Sequence, residues 1–227
     1  MKLEKQQMAD PEKWYSKDRL VALSDGIFAI AITLLVIDIR LPEGLDPRNH
    51  ALITEKFFEL FPQFLSYIVS FLVIANYWMA HRRLMANVEH INDRLTKAHL
   101  ILLFIIALIP VSTNFFGTYY GVPILTVFYT LNLAFCGIAS VFILFYTRFH
   151  RNLAPEDPTI LRHMDHRLRS ALVPPVVFVA SLLFLFFPDG AYYLPFSWML
   201  IPVFAYLVHL PWTPRKPRPA TKPQAKK

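Results

Sequence analysis

The chain has 227 residues, of which 55% are hydrophobic and only 17% charged, with a formal net charge of +7. A soluble domain carries about 25% charge, so this composition excludes a disordered chain and argues against an ordinary soluble enzyme. It fits an integral membrane protein, where 18 prolines and 20 phenylalanines are tolerated.

Taken in chain order, six stretches are long and apolar enough to cross about 30 Å of hydrocarbon at 1.5 Å per residue. They are residues 20–37, 57–80, 98–116, 122–146, 171–187 and 191–210. The fifth is short, and Pro174 and Pro175 leave its start uncertain. Gly117 to Gly121 divides the third from the fourth, and Pro188-Asp189-Gly190 divides the fifth from the sixth. Both are turn signals, so both pairs read as tight helical hairpins. Before the first stretch, Trp14 and Tyr15 beside Lys13 and Lys17 read as an interfacial anchor, and no cleavable signal peptide is evident.

The basic residues follow the same alternation. The segment before the first span, the second and fourth connections and the tail hold 20 of the 23 lysines and arginines. The opposite side holds only Arg40, Arg48 and Lys56. The positive-inside rule places both termini in the cytoplasm. The net charge then reflects topology, and no nucleic-acid partner is needed to explain it. The expected organisation is a cytoplasmic segment 1–17, a membrane domain 18–211 and a basic, disordered cytoplasmic tail 212–227. The fold class is an all-α, multi-pass bundle in the cell membrane.

Cys136 is the single cysteine, inside an apolar run, so a disulfide or cysteine-based zinc site within one chain is excluded. His163-Met164-Asp165-His166 lacks H-E-x-x-H spacing and reads as a charged loop, so no metal is expected. No Walker, Rossmann or nucleophile-elbow motif occurs. Asp25 and His81 have no accompanying nucleophile, so no enzyme and no cofactor are expected. Trp78 and His81 lie three apart at the end of the second span and share a face. Trp78 reads as an aromatic-belt residue and His81 as a hydrogen-bonding group within the bundle.

The first span carries the most information: RLVALSDGIFAIAITLLVIDIRLP over residues 19–42. A carboxylate inside a span is costly and marks either a function or a paired structural site. Asp25 has Arg19, His81 and Arg82 as candidate partners; ion or proton movement is the alternative. Ile30, Thr33, Leu34 and Ile37 fall at i, i+3, i+4 and i+7 and share one helical face, which Leu23 and Ile27 extend. Asp25 lies about 140° away from Ile30 at 100° per residue. It therefore points into neighbouring helices. Gly26, Ala29 and Ala31 permit close helix approach. In most sequences an apolar stripe at this spacing is core packing; an apolar constriction can also gate a pore by dewetting.

This segment resembles the signature of the transmembrane protein 175 family of potassium channels, R-x-x-x-F-S-D followed by G-x-F-A-I-A-x-T-L-L-V. The match runs through Arg19, Ser24, Asp25, Gly26, Phe28, Ala29, Ile30, Ala31, Thr33, Leu34, Leu35 and Val36, and departs at Leu23, where the family usually has Phe. It continues in Tyr77-Trp78 with His81 and in Leu108-Ile109-Pro110-Val111-Ser112-Thr113. The resemblance implies a homotetramer of six-helix subunits whose first helices line a central pore. It implies a constriction at Ile30 with Leu34 and Ile37 stacked outward, and a Thr33 layer that favours potassium. Arg19, Ser24 and Asp25 would tie the first helix to its neighbours, supported by Trp78 and His81. The sequence has no T-V-G-Y-G loop and no arginine-rich voltage-sensing helix. The expected function is a leak-type potassium-permeable channel in the lipid bilayer, with K⁺ as permeant ion. The alternative is a secondary transporter or proton-coupled carrier that uses Asp25. A non-conducting scaffold is the third possibility.

Overall fold

The computed structural model describes residues 17–150, 153–155 and 157–209. The expected N-terminal anchor at Trp14 and Tyr15 and the basic tail 212–227 lie outside the described residues. Among those described, every regular element is helical. In order they are α1 Lys17–Leu34, α2 His50–Glu59, α3 Phe61–Met85, α4 Asp93–Ala107 and α5 Ile109–Thr118. There follow α6 Pro123–Phe149, α7 Pro158–Ala171, α8 Val173–Ser181, α9 Gly190–Tyr193 and α10 Leu200–His209. Short 3₁₀ turns occupy Leu182–Phe186 and Leu194–Met199.

Three of these boundaries are bends inside longer helices. The junction residues are Leu60, Leu108 and Leu172, and each is followed two positions later by a proline: Pro62, Pro110 and Pro174. Proline has no N–H and removes one helical bond, which bends a helix without ending it when the next turn re-forms. Leu60 and Leu108 tighten locally, donating to Phe57 O and Ile105 O at 3.2 Å each. Merged this way, five helices among the described residues are long and apolar enough to cross a membrane: His50–Met85, Asp93–Thr118, Pro123–Phe149, Pro158–Phe186 and Gly190–Val208. The helix that holds the fifth expected span therefore begins earlier than 171. Its first part, α7, reads PTILRHMDHRLRSA and is too polar for hydrocarbon; the apolar part starts with α8.

The remaining expected span, the first, is α1. Its helix has 18 residues and ends at Leu34, three residues short of the expected 37. Ile37 sits in the following turn, its N–H bonded to Leu34 O at 3.2 Å. Lys17, Asp18 and Arg19 lie in its first turn, and Asp25 lies further along, inside the expected span.

Both hairpins form, with a difference at the first. Tyr119 to Val122 makes the turn, and Gly121 there has φ +86°. Gly117 lies within α5, where it lets the Ser66 side chain and the Gln63 backbone approach. The second hairpin turns at Asp189, whose φ of 56° is left-handed.

Helices in a bilayer gain little from hydrophobic association, because lipid is as apolar as leucine. Close packing and buried hydrogen bonds hold them instead. Gly137 of α6 lets α8 approach: a Cβ there would meet Pro175 Cδ at 2.8 Å and Tyr77 Oη at 3.0 Å. Cys136 beside it is buried and free. A hydroxyl relay joins α3, α5 and α6. Ser70 Oγ lies 2.7 Å from both Thr113 Oγ1 and Tyr129 Oη, and Thr113 donates to Ile109 O at 2.7 Å. A carbonyl can only accept, so Thr113 spends its proton there. Ser70 must then donate to Thr113, and Tyr129 to Ser70. Asn132 adds a bond to Ser112 Oγ at 2.8 Å. These residues are all buried.

Candidate functional site

The sequence places its chemistry on α1, and the structure divides that helix lengthwise. One face is buried: Leu20, Ser24, Phe28, Ala31 and, just beyond the end, Leu35. The spacing of three and four residues makes this a continuous stripe. The opposite face is open. Ile30 is 59% exposed, Leu34 42%, Ile37 54% and Leu23 47%, while Phe28 is 1% exposed. Gly26, Ala29 and Thr33 are also exposed.

Asp25 sits at the edge of the buried face and is half-buried. Its Oδ1 accepts a hydrogen bond from Trp78 Nε1 of α3 at 2.8 Å. None of the expected partners Arg19, His81 or Arg82 makes this bond. Trp78 was expected in the aromatic belt; its indole N–H points instead at the one carboxylate in the middle of α1. Arg82 stacks over the Trp78 ring at 4.9 Å. Carboxylate, indole and guanidinium thus form a layered group that couples α1 to α3. Arg19 lies on the exposed side of the first turn, about 120° round the helix from Asp25 at 100° per residue. Ser24 is fully buried and returns its hydroxyl to Leu20 O at 2.8 Å. That satisfies the proton within the helix and leaves a small side chain at the contact. Lys17 Nζ anchors the start of α1, donating to Val88 O at 2.8 Å in the α3–α4 connection.

His81 is buried and packs its ring between Phe28 of α1, at 5.9 Å, and His99 of α4, at 5.2 Å. His99 was not anticipated. Its Nδ1 lies 2.8 Å from Leu95 O, so Nδ1 carries the proton. The Nε2 atoms of both histidines have no hydrogen-bond partner among the described residues. A polar residue in the apolar stretch 98–116 was the available signal for His99, and likewise for Asn132 and Ser70 in their spans.

Thr33 Oγ1 donates to Ala29 O at 3.0 Å and Ile30 O at 2.9 Å. Its proton is therefore directed at the helix, and its lone pairs are left for an acceptor role on the exposed face. Hydroxyl oxygens in that state suit a cation. On the far side of α1, Asp38 lies 4.0 Å from Arg40, and Asp46 Oδ1 accepts from Arg48 N. In the α7 tract, Asp165 is held by Arg148 in a two-pronged pair at 2.7 and 3.0 Å, and His163 Nδ1 contacts Thr159 O. These bonds account for the histidine-aspartate run as a brace between α6 and α7.

A family profile described as Endosomal/lysosomal potassium channel TMEM175 matches residues 19–110, from α1 into the start of α5. The chain is similar to Potassium channel HX13_20290 of Chryseobacterium sp. (strain P1-3), 37% identical over 108 residues, 45% of this chain and 50% of that protein. It is similar to Endosomal/lysosomal proton channel TMEM175 of Gallus gallus, 25% identical over 203 residues, 85% of this chain and 38% of that one. The chain thus spans half or less of the length of these relatives. The crystal structure of a lysosomal potassium-selective channel TMEM175 homolog from Chamaesiphon minutus superposes with a TM-score of 0.67 at 20% identity, covering 86% of this chain and 97% of that one. That likeness is one of fold.

Proposed function

We propose that the chain is a TMEM175-type, potassium-permeable channel with α1 lining the pore; the TMEM175 profile match over residues 19–110 supports this reading. The observation that carries this reading is the divided surface of α1. This helix carries Asp25 within its span, and its Leu23, Ile30, Leu34 and Ile37 face is open in the single chain. We take this open face to be covered by other copies of the chain around a central axis, as the family resemblance implies. Four copies, as the family resemblance implies, make a homotetramer.

In that assembly Ile30 forms the narrowest ring, with Leu34 and Ile37 stacked outward. An apolar ring passes ions only when wetted. Thr33 offers hydroxyl lone pairs in place of part of the ion's water shell. Asp25, held by Trp78, fastens the pore helix and does not carry the ion. The bias of 20 of 23 basic residues supports cytoplasmic termini in a cell membrane. Without a voltage-sensing helix, the conductance is leak-like.

The test is ionic current from purified protein in a planar bilayer with unequal K⁺ and Na⁺ on the two sides. A reversal potential set by K⁺, with larger current in Ile30→Ala, is the expected result. A silent bilayer with protein shown to be inserted overturns it. Proton permeation is the second reading, favoured by the name of the Gallus gallus relative; a pH gradient in the same bilayer separates the two. Saturating, substrate-coupled flux that vanishes in Asp25→Asn would point instead to a carrier.

A further inference from the structure

A cavity of about 480 Å³ opens between α3, α6, α7, α8 and α10, away from the exposed face of α1. Its volume is in the range of small-molecule sites. Its lining is divided by chemistry. Leu144, Met164 and Ile201 belong to the apolar wall; Arg83, Asn87 and Arg167 belong to the polar one. The polar groups converge on one point: Arg167 Nη1 donates to Arg83 O at 3.2 Å and Asn87 Nδ2 donates to the same oxygen at 2.8 Å. Arg167 thus reaches the backbone of Arg83, both arginines line the cavity, and no carboxylate is in its lining. Neither arginine has an ion-pair partner among the described residues.

Two like charges brought together without a counter-charge call for an anion. An apolar cavity beneath them calls for a chain. Deeper in the wall, His81 is 5% exposed and its Nε2 lacks a hydrogen-bond partner. It marks a third polar contact below the arginines. We propose that this cavity binds an anionic glycerophospholipid of the leaflet on the basic side of the bundle. Arg83 and Arg167 take the phosphate, an acyl chain lies along Leu144, Met164 and Ile201, and an ester group lies at the level of His81. Arginine suits this role because its planar fork meets phosphate oxygens two at a time. Basic pockets between membrane helices on the cytoplasmic side recur as lipid-headgroup sites. The chain's own tail, with six lysines and arginines over residues 213–227, has the wrong charge to be the occupant.

The experiment is native mass spectrometry of the full chain released from detergent, titrated with phosphatidylglycerol, phosphatidylcholine, oleate or inorganic phosphate. The expected result is saturable binding of one phosphatidylglycerol per chain, at least tenfold tighter than phosphatidylcholine. Arg83→Gln should weaken it about tenfold, as loss of a charge-assisted hydrogen bond does. Arg83→Lys should weaken it less, and Ser140→Phe, which fills the apolar part, should abolish it in protein that keeps its helical content. Equal binding of phosphatidylcholine overturns the anion site. Inorganic phosphate binding as tightly as the lipid overturns the chain-binding cavity, and oleate doing so overturns the glycerophospholipid. Unchanged affinity in both Arg83→Lys and Ser140→Phe overturns the location.

Discussion

Replacing Trp78 by Phe isolates the bond that fastens α1. The indole donates to Asp25 Oδ1 at 2.8 Å. Phenylalanine keeps an aromatic ring beneath Arg82 and deletes only the N–H and the second ring. A hydrogen bond to a charged acceptor contributes about 1.5–3 kcal/mol when its partner is left unsatisfied. Asp25 is half-buried, so water recovers part of that, and the expected loss is about 1.5–2 kcal/mol, or roughly ten- to thirtyfold in the folding equilibrium. Some of it would come from the weaker stacking of Arg82 on Phe, about 0.5 kcal/mol. A double-mutant cycle with Asp25→Ala removes that contribution. Reversible unfolding in mixed micelles, followed by far-ultraviolet circular dichroism, supplies the four stabilities. A coupling energy of about 1 kcal/mol or more is expected. A coupling below about 0.3 kcal/mol would refute the bond as the tie between α1 and α3.

The hydroxyl relay has a direction that substitutions can read. Tyr129→Phe removes its first donor and should cost about 1 kcal/mol, whereas Ser70→Ala strands the Tyr129 hydroxyl and should cost more, about 2 kcal/mol; the reverse order in a denaturant titration would refute the proton assignment. Gly137→Ala puts a methyl group against Pro175 and Tyr77 and should destabilise by about 1–2 kcal/mol despite alanine's better helix propensity; a neutral or stabilised variant would show that α6 and α8 can part. Asp157 caps α7 by accepting from Thr159 N at 2.6 Å, and that amide holds its carboxyl below the usual range. A lowered carboxyl pKa stabilises the fold above the ordinary carboxylate value, and that contribution fades as pH falls through the lowered one. The protection of the Thr159 amide, relative to the intrinsic exchange rate at each pH, should therefore fall at acid pH in the native chain and be low at all pH values in Asp157→Ala.

Much of this was legible because hydropathy and turn residues act locally. The break at Pro188-Asp189-Gly190 works through a backbone angle that Asp189 itself adopts, and a window of sequence contains it. The placement of Asp25 opposite Ile30 needs only helical geometry. Prolines were less informative, because Pro174 one turn into a helix bends it without stopping it; α7 and α8 therefore run together where a loop was expected. Gly117 was read as a turn although its smallness serves packing against α3. The partner of Asp25 was hidden for a different reason. Trp78 lies 53 positions away, and an aromatic residue near the end of a span has an ordinary explanation in the interface. The bonds of Ser70, Asn132 and His99 vanish in any average over an apolar window, although each polar side chain inside such a span needs a partner.

The arrangement makes α3 the reference for α1. Its Ser70 is locked to α5 and α6 by hydroxyl bonds, and Tyr77 donates to Leu133 O of α6 at 3.1 Å. Further along the same helix, Trp78 holds Asp25 and His81 packs on Phe28. Between these attachments and the open Ile30 face, α1 is one helix thick, so a shift at one side moves the other. Any rotation of α1 that retracts Ile30 must carry Asp25 off the Trp78 indole or drag α3 against its own relay. The bond at Asp25 therefore opposes rotation of Ile30, and weakening it in Trp78→Phe should change the open fraction of the proposed pore as well as the stability of the chain. Single-channel recording that shows reduced stability with an unaltered open fraction would separate the two roles and confine the Asp25–Trp78 pair to folding.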